Sequence, residues 1–171
     1  MLAARSPARQ VVQAGSGILY GIRRATTPIR SMPDSFFRHP TIEIDWTGGS
    51  EFDAHRAGGP KIHVDGDAKT APSPVDVLLA ALATCAATDV VTILHKQRTP
   101  VQALHVAVDA DRVESTPRRL AAAVLHFTIR APGTTGAKAA RAVQLAVTKY
   151  CSVRSSLVAE AAVTWTIDLE S

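Results

Sequence analysis

Two cysteines are the residues of this 171-residue chain with the most distinctive potential chemistry, and 66 positions separate them. Cys85 lies inside a long apolar segment, whereas Cys151 lies at the end of a predicted helix. A thiolate is a nucleophile, and two thiols can exchange with a disulfide. Their number and spacing match neither a secreted disulfide framework nor a zinc site. From composition alone, inert core residues and a redox pair both explain them.

Residues 73–95 predict the long helix that would position the first thiol. Ser73 is a good N-cap, Pro74 suits the first helical position, and Asp76 is placed to act as the acid of a capping box. The following four to five turns are nearly all apolar, so we expect most of the helix circumference to be buried. Basic residues before Pro100 favour a helix end there.

Strand patterns flank this helix on both sides. Alternation with period two marks the segments 41–46, 51–57, 61–65, 104–111, 123–130 and 163–169. A second helix is predicted over residues 138–150, and a short one follows Cys151. If Cys151 opens that short helix, the helix start would lower the pKa of its thiol. Strands grouped around helices, without alternation of single strands and helices, predict an α+β fold whose first three strands form an antiparallel meander.

Charge is unevenly distributed along the chain. Residues 1–38 hold six arginines and one acid, a net charge of +5, whereas residues 39–171 hold 13 basic and 14 acidic residues, a net charge of −1. The basic isoelectric point therefore comes from the N-terminal segment. A near-neutral domain argues against a general nucleic-acid-binding surface, so we expect no nucleic-acid partner.

We interpret residues 1–38 as a basic tail outside the fold and residues 39–171 as a single domain. The tail matches a disordered segment, an organellar transit peptide, or residues upstream of a true start at Met32 rather than Met1. It could also be a targeting or partner-binding arm. We expect a cytoplasmic protein, with organellar targeting left open.

The sequence indicates no metal or bound cofactor. Six histidines show no helical ligand spacing, and no glycine-rich phosphate loop follows a strand. The long helix contains Asp76 and Asp89, which interrupt any run of about 18 uncharged apolar residues, so we expect no membrane span.

The residues around both cysteines resemble the OsmC/Ohr family, named after osmotically inducible protein C and organic hydroperoxide resistance protein. Residues 73–85 read Ser-Pro-x-Asp-x-Leu-Leu-Ala-Ala-Leu-Ala-Thr-Cys, and residues 149–153 read Lys-Tyr-Cys-Ser-Val. Cys-Ser-Val stands where the best-studied enzymes have Cys-Pro-x-Ser. This form, together with Asp-Val-Val at residues 89–91, is most similar to the YhfA-like branch. The resemblance covers about residues 41–170.

The resemblance implies an intertwined homodimer with antiparallel curved sheets around a long central helix that carries the first cysteine. It also implies thiol-dependent reduction of small organic hydroperoxides. Cys85 would attack the peroxide and become a sulfenic acid, and Cys151 would then form a disulfide with it. An external dithiol or lipoyl-type reductant would reopen that disulfide, without a bound cofactor.

The family also uses an arginine from the N-terminal sheet and a glutamate in the first turn of the cysteine helix. The glutamate position is Val75 here, and the neighbouring acid is Asp76, rotated by about 100° around the helix. Asp76 is thus a candidate for the acid, and a capping role is its alternative. Arg56 is the candidate for the cation, because Ser50 follows the Gly-Gly turn; an ordinary surface arginine is its alternative.

These departures support a second hypothesis about function. The protein would then be a non-catalytic or redox-sensing OsmC-fold protein that binds a small apolar molecule at the dimer interface. Its cysteines would be relics or sensors rather than catalytic groups.

Overall fold

The computed structural model of this protein describes residues 41–170. The predictions made for the tail, residues 1–38, and for the domain boundary at residue 39 lie outside the described residues. The elements follow in the order β1 (Ile42–Gly48), β2 (Glu51–Arg56), β3 (Ile62–Asp65), α1 (Pro74–Lys96), β4 (Ala103–Arg112), β5 (Leu120–Arg130), α2 (Gly136–Leu145), a π-helical turn (Ala146–Tyr150), α3 (Ser152–Ser155) and β6 (Ala162–Glu170). The predicted α+β class is confirmed.

The first three strands form the predicted antiparallel meander. Residues opposite each other in adjacent strands point to the same side of a sheet, so the register gives each face a distinct character. One face is apolar and carries Ile42, Ile44, Trp46, Phe52 and Ile62. These side chains stay exposed in the single chain, with Trp46 68% accessible. An exposed apolar face of this kind is typical of an interaction surface.

The opposite face of the meander is held by ion pairs. The imidazole of His55 lies 2.9 Å from the carboxylate of Asp45, and that of His63 lies 2.8 Å from Asp53. Lys61 also pairs with Asp53, at 3.1 Å. Hydrogen bonds that their imidazoles donate to the partner carboxylates raise the pKa of both histidines. These contacts join neighbouring strands, so they stabilise the meander itself rather than its attachment to the helices.

Asp65 connects the meander to the loop that precedes α1. Its side chain is almost fully buried, and its carboxylate accepts hydrogen bonds from the backbone N–H groups of Asp67, Lys69 and Thr70 and from the hydroxyl of Ser50. These donors, led by the three amides, hold the pKa of Asp65 far below its ordinary value. The loop conformation therefore depends on the ionised carboxylate.

The second sheet has the strand order β4-β5-β6. Its strand directions differ in one respect from the expected antiparallel arrangement. Whereas β4 and β5 are antiparallel as predicted, β6 runs parallel to β5. The reason is that α2 and the segment after it return the chain to the same end of the sheet before β6 begins, as parallel pairing requires. The inward residues of β5 are those predicted from its alternation, and Leu125, Phe127 and Ile129 are fully buried in the core.

The long helix α1 begins as predicted but is less buried than predicted. Ser73 and Asp76 form a reciprocal capping box, with Pro74 in the first turn. Only one side, which includes Leu82, Val90 and Leu94, is buried against α2, α3 and the second sheet. By length and mean hydropathy α1 is apolar enough to cross a membrane, yet core helices of soluble proteins meet the same criterion. The described residues leave the rest of the helix surface uncovered.

We expect Asp65→Asn to lower the midpoint of thermal unfolding at pH 7, because an amide offers one acceptor oxygen and no charge to the loop donors. The pKa of Asp65 is depressed in the folded state, so its stabilisation is present above the unfolded pKa of about 4 and is lost as the pH falls. The difference in thermal unfolding midpoint between wild type and Asp65→Asn should therefore become smaller as the pH falls from about 5 to about 2. Asp67→Asn is the control, because Asp67 pairs with Lys69 in solvent. An equal effect of both substitutions would contradict the anchoring role.

Candidate active site

Three elements bring the two thiols together. Cys85 lies midway along α1, and Cys151 is the N-cap residue of α3. Between α2 and α3 the chain makes the π-helical turn, where the N–H of Cys151 donates to the carbonyl of Ala146 at 2.9 Å. This wider turn ends α2 beside α1, and the Sγ of Cys151 lies 3.9 Å from the carbonyl oxygen of Leu82. The second thiol is thus buried one helical turn before the first along α1.

Cys85 faces the start of α3. Its Sγ lies 3.8 Å from the hydroxyl oxygen of Ser152. The backbone N–H groups of Val153 and Ser152 at the start of α3 act on the same thiol and lower its pKa. Cys85 is half-buried, whereas Cys151 is only 1% exposed, and both are free thiols. The difference in exposure means that a small molecule can reach Cys85 but not Cys151.

The surroundings shift the two pKa values in opposite directions. Burial raises the pKa of Cys85, but the N–H of Val153, the thiol of Cys151 and the hydroxyl of Ser152 together lower it below its ordinary value. Burial raises the pKa of Cys151, and the nearby Cys85 raises it further, against a hydrogen bond from the N–H of Arg154. Cys85 is therefore the thiol that ionises first, and the thiolate is the reactive form.

This result corrects one expectation from the sequence. The position of Cys151 at a helix start suggested that its own pKa would be lowered. Cys151 does cap α3 and accepts from the N–H of Arg154 at 3.4 Å, but its burial outweighs that contact. The free donors at the start of α3 act on Cys85 instead.

Asp76 is engaged at the start of α1. Its carboxylate accepts from the N–H and the hydroxyl of Ser73 at 2.8 and 2.7 Å, which confirms the capping alternative. Nine residues, or about 13 Å of helix, separate Asp76 from Cys85. The structure does not bring this acid to the thiol, and no contact supports its predicted catalytic role.

Arg56 lies at the end of β2 in the first sheet, whereas Cys85 lies on α1. It ends β2 opposite Ile42, on the apolar face, and lines a cavity of about 330 Å³ with Ile42, Pro60 and Ile62. Among residues 41–170 its guanidinium forms no ion pair. The structure therefore brings Cys85 and Cys151 together but leaves the predicted cation on a separate, uncovered face.

The sequence reasoning missed Ser152 and Val153 as parts of the site. The available signal was the replacement of proline by serine after the second cysteine. Proline has no backbone N–H, so serine adds an amide donor as well as a hydroxyl at this position.

Over the described part of the chain, no group of three His, Cys, Asp or Glu side chains is arranged to hold a metal ion.

We expect Ser152→Ala to raise the pKa of Cys85, and Ser152→Pro to raise it further because it also removes the N–H. Loss of one hydrogen bond worth about 1 kcal/mol should slow alkylation of Cys85 near neutral pH about fivefold. The measurement is the pH dependence of iodoacetamide alkylation at Cys85, followed by mass spectrometry in a Cys151→Ala background.

Ser156→Ala is the matched control, because the Ser156 hydroxyl donates to the carbonyl of Ser152 rather than to Cys85. An alkylation profile that Ser152→Ala and Ser152→Pro leave unchanged would show that α3 does not stabilise the thiolate.

Comparison with known proteins agrees with this fold and site. The family model described as OsmC-like protein matches residues 65–167. Protein YhfA of Escherichia coli (strain K12) is 38% identical over 128 residues, which cover 74% of this chain and 94% of that protein.

Two solved structures share the fold at low sequence identity. The OsmC like protein from Mycoplasma pneumoniae superposes with a TM-score of 0.70 at 17% identity, covering 80% of this chain and 100% of that one. The organic hydroperoxide resistance protein OhrB of Bacillus subtilis gives 0.51 at 14% identity, covering 76% and 98%. Together with the family model and the YhfA match, these findings show that the chain belongs to the OsmC family, in its YhfA-like branch.

Proposed function

We propose that this protein is a thiol-dependent peroxidase that reduces small organic hydroperoxides, with Cys85 as the nucleophile. The observation that carries the proposal is the pairing of an accessible thiol of lowered pKa with a buried thiol of raised pKa. Membership of a family that includes proteins named for organic hydroperoxide resistance supports the same reading.

The first step is attack of the Cys85 thiolate on the peroxide. A sulfur–oxygen bond forms, the O–O bond breaks, and the leaving alkoxide takes a proton and departs as an alcohol. Cys85 is oxidised to a sulfenic acid, and the hydroperoxide is reduced. Donors at the start of α3 hold the thiolate before attack without needing to rearrange.

The second step is attack of Cys151 on the sulfenic sulfur, which forms a disulfide and releases water. The negative charge on Cys85 is one cause of the raised pKa of Cys151. Oxidation removes that charge, so Cys151 loses its proton more readily after the first step than before it. An external dithiol then reduces the disulfide by thiol–disulfide exchange, which returns both thiols.

The protein would act as a homodimer, because residues 41–170 leave two of their own apolar surfaces uncovered. One is the sheet face that carries Ile44 and Trp46, and the other is the exposed side of α1, including Val91. A second copy that places its sheet over this helix would bury both surfaces at once and gain the free energy of apolar burial.

Such a dimer also gives Arg56 a role at the site. Arg56 shares the apolar sheet face with Ile42. In the dimer Arg56 would therefore lie against the partner's α1 together with that face. A guanidinium there would stabilise the thiolate of the partner's Cys85 and polarise the peroxide. Asp76 is hydrogen-bonded to Ser73 and would keep its capping role.

Two observations favour a second candidate function, which is not catalytic. Val75 occupies the first turn of α1 where the family glutamate would stand, and within residues 41–170 no guanidinium pairs with Cys85. These observations favour a redox sensor, or a non-catalytic protein that binds a small apolar molecule at the dimer interface. Such a protein would react with peroxide once but would not turn over.

We expect the reduced wild type to consume cumene hydroperoxide with dithiothreitol over many turnovers, and Cys85→Ser to lose at least about a hundredfold in rate. Cys151→Ser should still react once and accumulate a sulfenic acid that dimedone labels at Cys85. Peroxide consumption is followed by a ferrous-iron assay, and the labelled residue by mass spectrometry.

Unchanged turnover in Cys85→Ser would overturn the assignment of the nucleophile. A reduced wild type that forms one disulfide per equivalent of peroxide, but does not turn over, would favour the sensor instead.

We expect the wild type to sediment as a dimer and Ile44→Asp to shift it to a monomer, because the substitution places a charge on the apolar sheet face. Glu43→Lys is the control, since Glu43 lies on the opposite face of the same strand. A monomeric wild type would contradict the dimer.

The contribution of Arg56 across the interface can be tested by mixing two inactive variants. Arg56→Ala should lower kcat/KM for peroxide about a hundredfold, whereas Arg141→Ala, on α2, should not. Refolding Arg56→Ala together with Cys85→Ser gives heterodimers with one intact site if the arginine serves the partner's thiol. Recovery of activity is the expected result, and no recovery in verified heterodimers would place Arg56 in its own chain's site or outside the reaction.

A further inference from the structure

A cavity of about 350 Å³ lies between the start of α1, the β4–β5 hairpin and the segment after α3. Its volume is within the range of about 300–1,000 Å³ of small-molecule sites. The apolar part of its lining comes from Val75, Leu78, Leu120, Leu157 and Val158. The charged part comes from three arginines of the hairpin, Arg112, Arg118 and Arg119.

These three arginines have no anionic partner in the described chain. None of them forms an ion pair with a carboxylate of residues 41–170, and the cavity lining contains no Asp or Glu. The Nε of Arg112 donates to the carbonyl of Arg118 at 2.7 Å, which holds the two residues together and leaves the terminal nitrogens of Arg112 available. Asp76, the acid of the first turn of α1, is bonded to Ser73 instead.

The concentration of positive charge is local. Residues 39–171 carry a net charge of −1, so three arginines at the rim of one cavity are not part of a general basic surface. Like charges held close together repel each other, and a bound anion would relieve that repulsion. Guanidinium groups bind carboxylates with two parallel hydrogen bonds, which makes them selective for that group.

We propose that this cavity is a binding site for a small anionic amphiphile, an alkyl carboxylate whose head group contacts the hairpin arginines. Its apolar part would lie against Val75, Leu78 and Leu157. An uncharged molecule of the same shape would lack the contacts with the guanidinium groups. The binding does not depend on peroxidase activity and would occur in a protein that is catalytically silent.

The position of the cavity connects it to the thiol. Leu78 precedes Cys85 by seven residues, which is two helical turns, about 10 Å, along the same side of α1. On the other side of the cavity, Ser156 follows Ser152 by one turn in the chain. A bound alkyl chain directed from the arginines along α1 would therefore approach Cys85 and shield it.

The test is calorimetric titration of the reduced protein with octanoate and, as the uncharged probe, octanol. We expect octanoate to bind at least about tenfold more tightly than octanol, with an affinity that falls as salt is added. Octanoate should also slow iodoacetamide alkylation of Cys85 in a Cys151→Ala background. Octyl phosphate is the third ligand in the titration. Tighter binding of octyl phosphate than of octanoate would overturn the choice of a carboxylate.

Arg118→Glu/Arg119→Glu should weaken octanoate binding at least about tenfold and leave octanol unaffected. Lys138→Glu/Arg141→Glu on α2 is the matched control, with the same charge change away from the cavity. Because the hairpin arginines are exposed, circular dichroism should show that the hairpin variant and the control variant are folded. Arg118→Gln/Arg119→Gln removes the two charges without reversing them and is the milder second hairpin variant. Equal affinities for octanoate and octanol, no octanoate binding, or binding unchanged in both hairpin variants would overturn the proposal.

Discussion

The contact between the middle of α1 and the start of α3 is the constraint on which the site depends. A thiolate in a half-buried position is unfavourable unless donors replace the water that it loses. Here the N–H groups of Ser152 and Val153 and the hydroxyl of Ser152 provide those donors. The packing of α2 and the π-helical turn against α1 keeps α3 in place, so the core of the domain also fixes the electrostatics of Cys85.

Unequal burial separates the roles of the two cysteines. Both lie against the same helix, yet one is accessible and the other is enclosed by the core cluster. Enclosure keeps the second thiol protonated while the first carries charge, because two adjacent thiolates would repel each other. The order of the proposed reaction thus follows from burial and from the coupling between the groups.

Residues 41–170 leave two surfaces uncovered, and the proposed dimer would bring these surfaces together. The first sheet is stabilised on its charged face by the His55 and His63 ion pairs but leaves its apolar face open. The exposed side of α1 is open as well. In the proposed dimer these two surfaces meet, and the sheet carries Arg56 to the other subunit. The cavity at the hairpin arginines is lined by the start of α1 and the segment after α3, and its Leu78 lies two helical turns, about 10 Å, before Cys85 on α1.

Much of this protein was determined by the sequence alone. Local signals specified the capping box at Ser73, the meander and the inward residues of β5, because capping and alternation depend on near neighbours. The two cysteine motifs specified the family. The parallel pairing of β6 was not predictable from its own residues, since strand direction depends on where the preceding helices return the chain.

Only the tertiary structure decided how charge is distributed at the site. Sequence reasoning assigned the effect of the helix start to Cys151, whereas the fold directs those donors to Cys85, 66 residues earlier. It also left Asp76 open between catalysis and capping, and the hydrogen bonds to Ser73 decided for capping. A pKa depends on burial and on donors within a few ångströms, and in this chain both are supplied by segments distant in sequence.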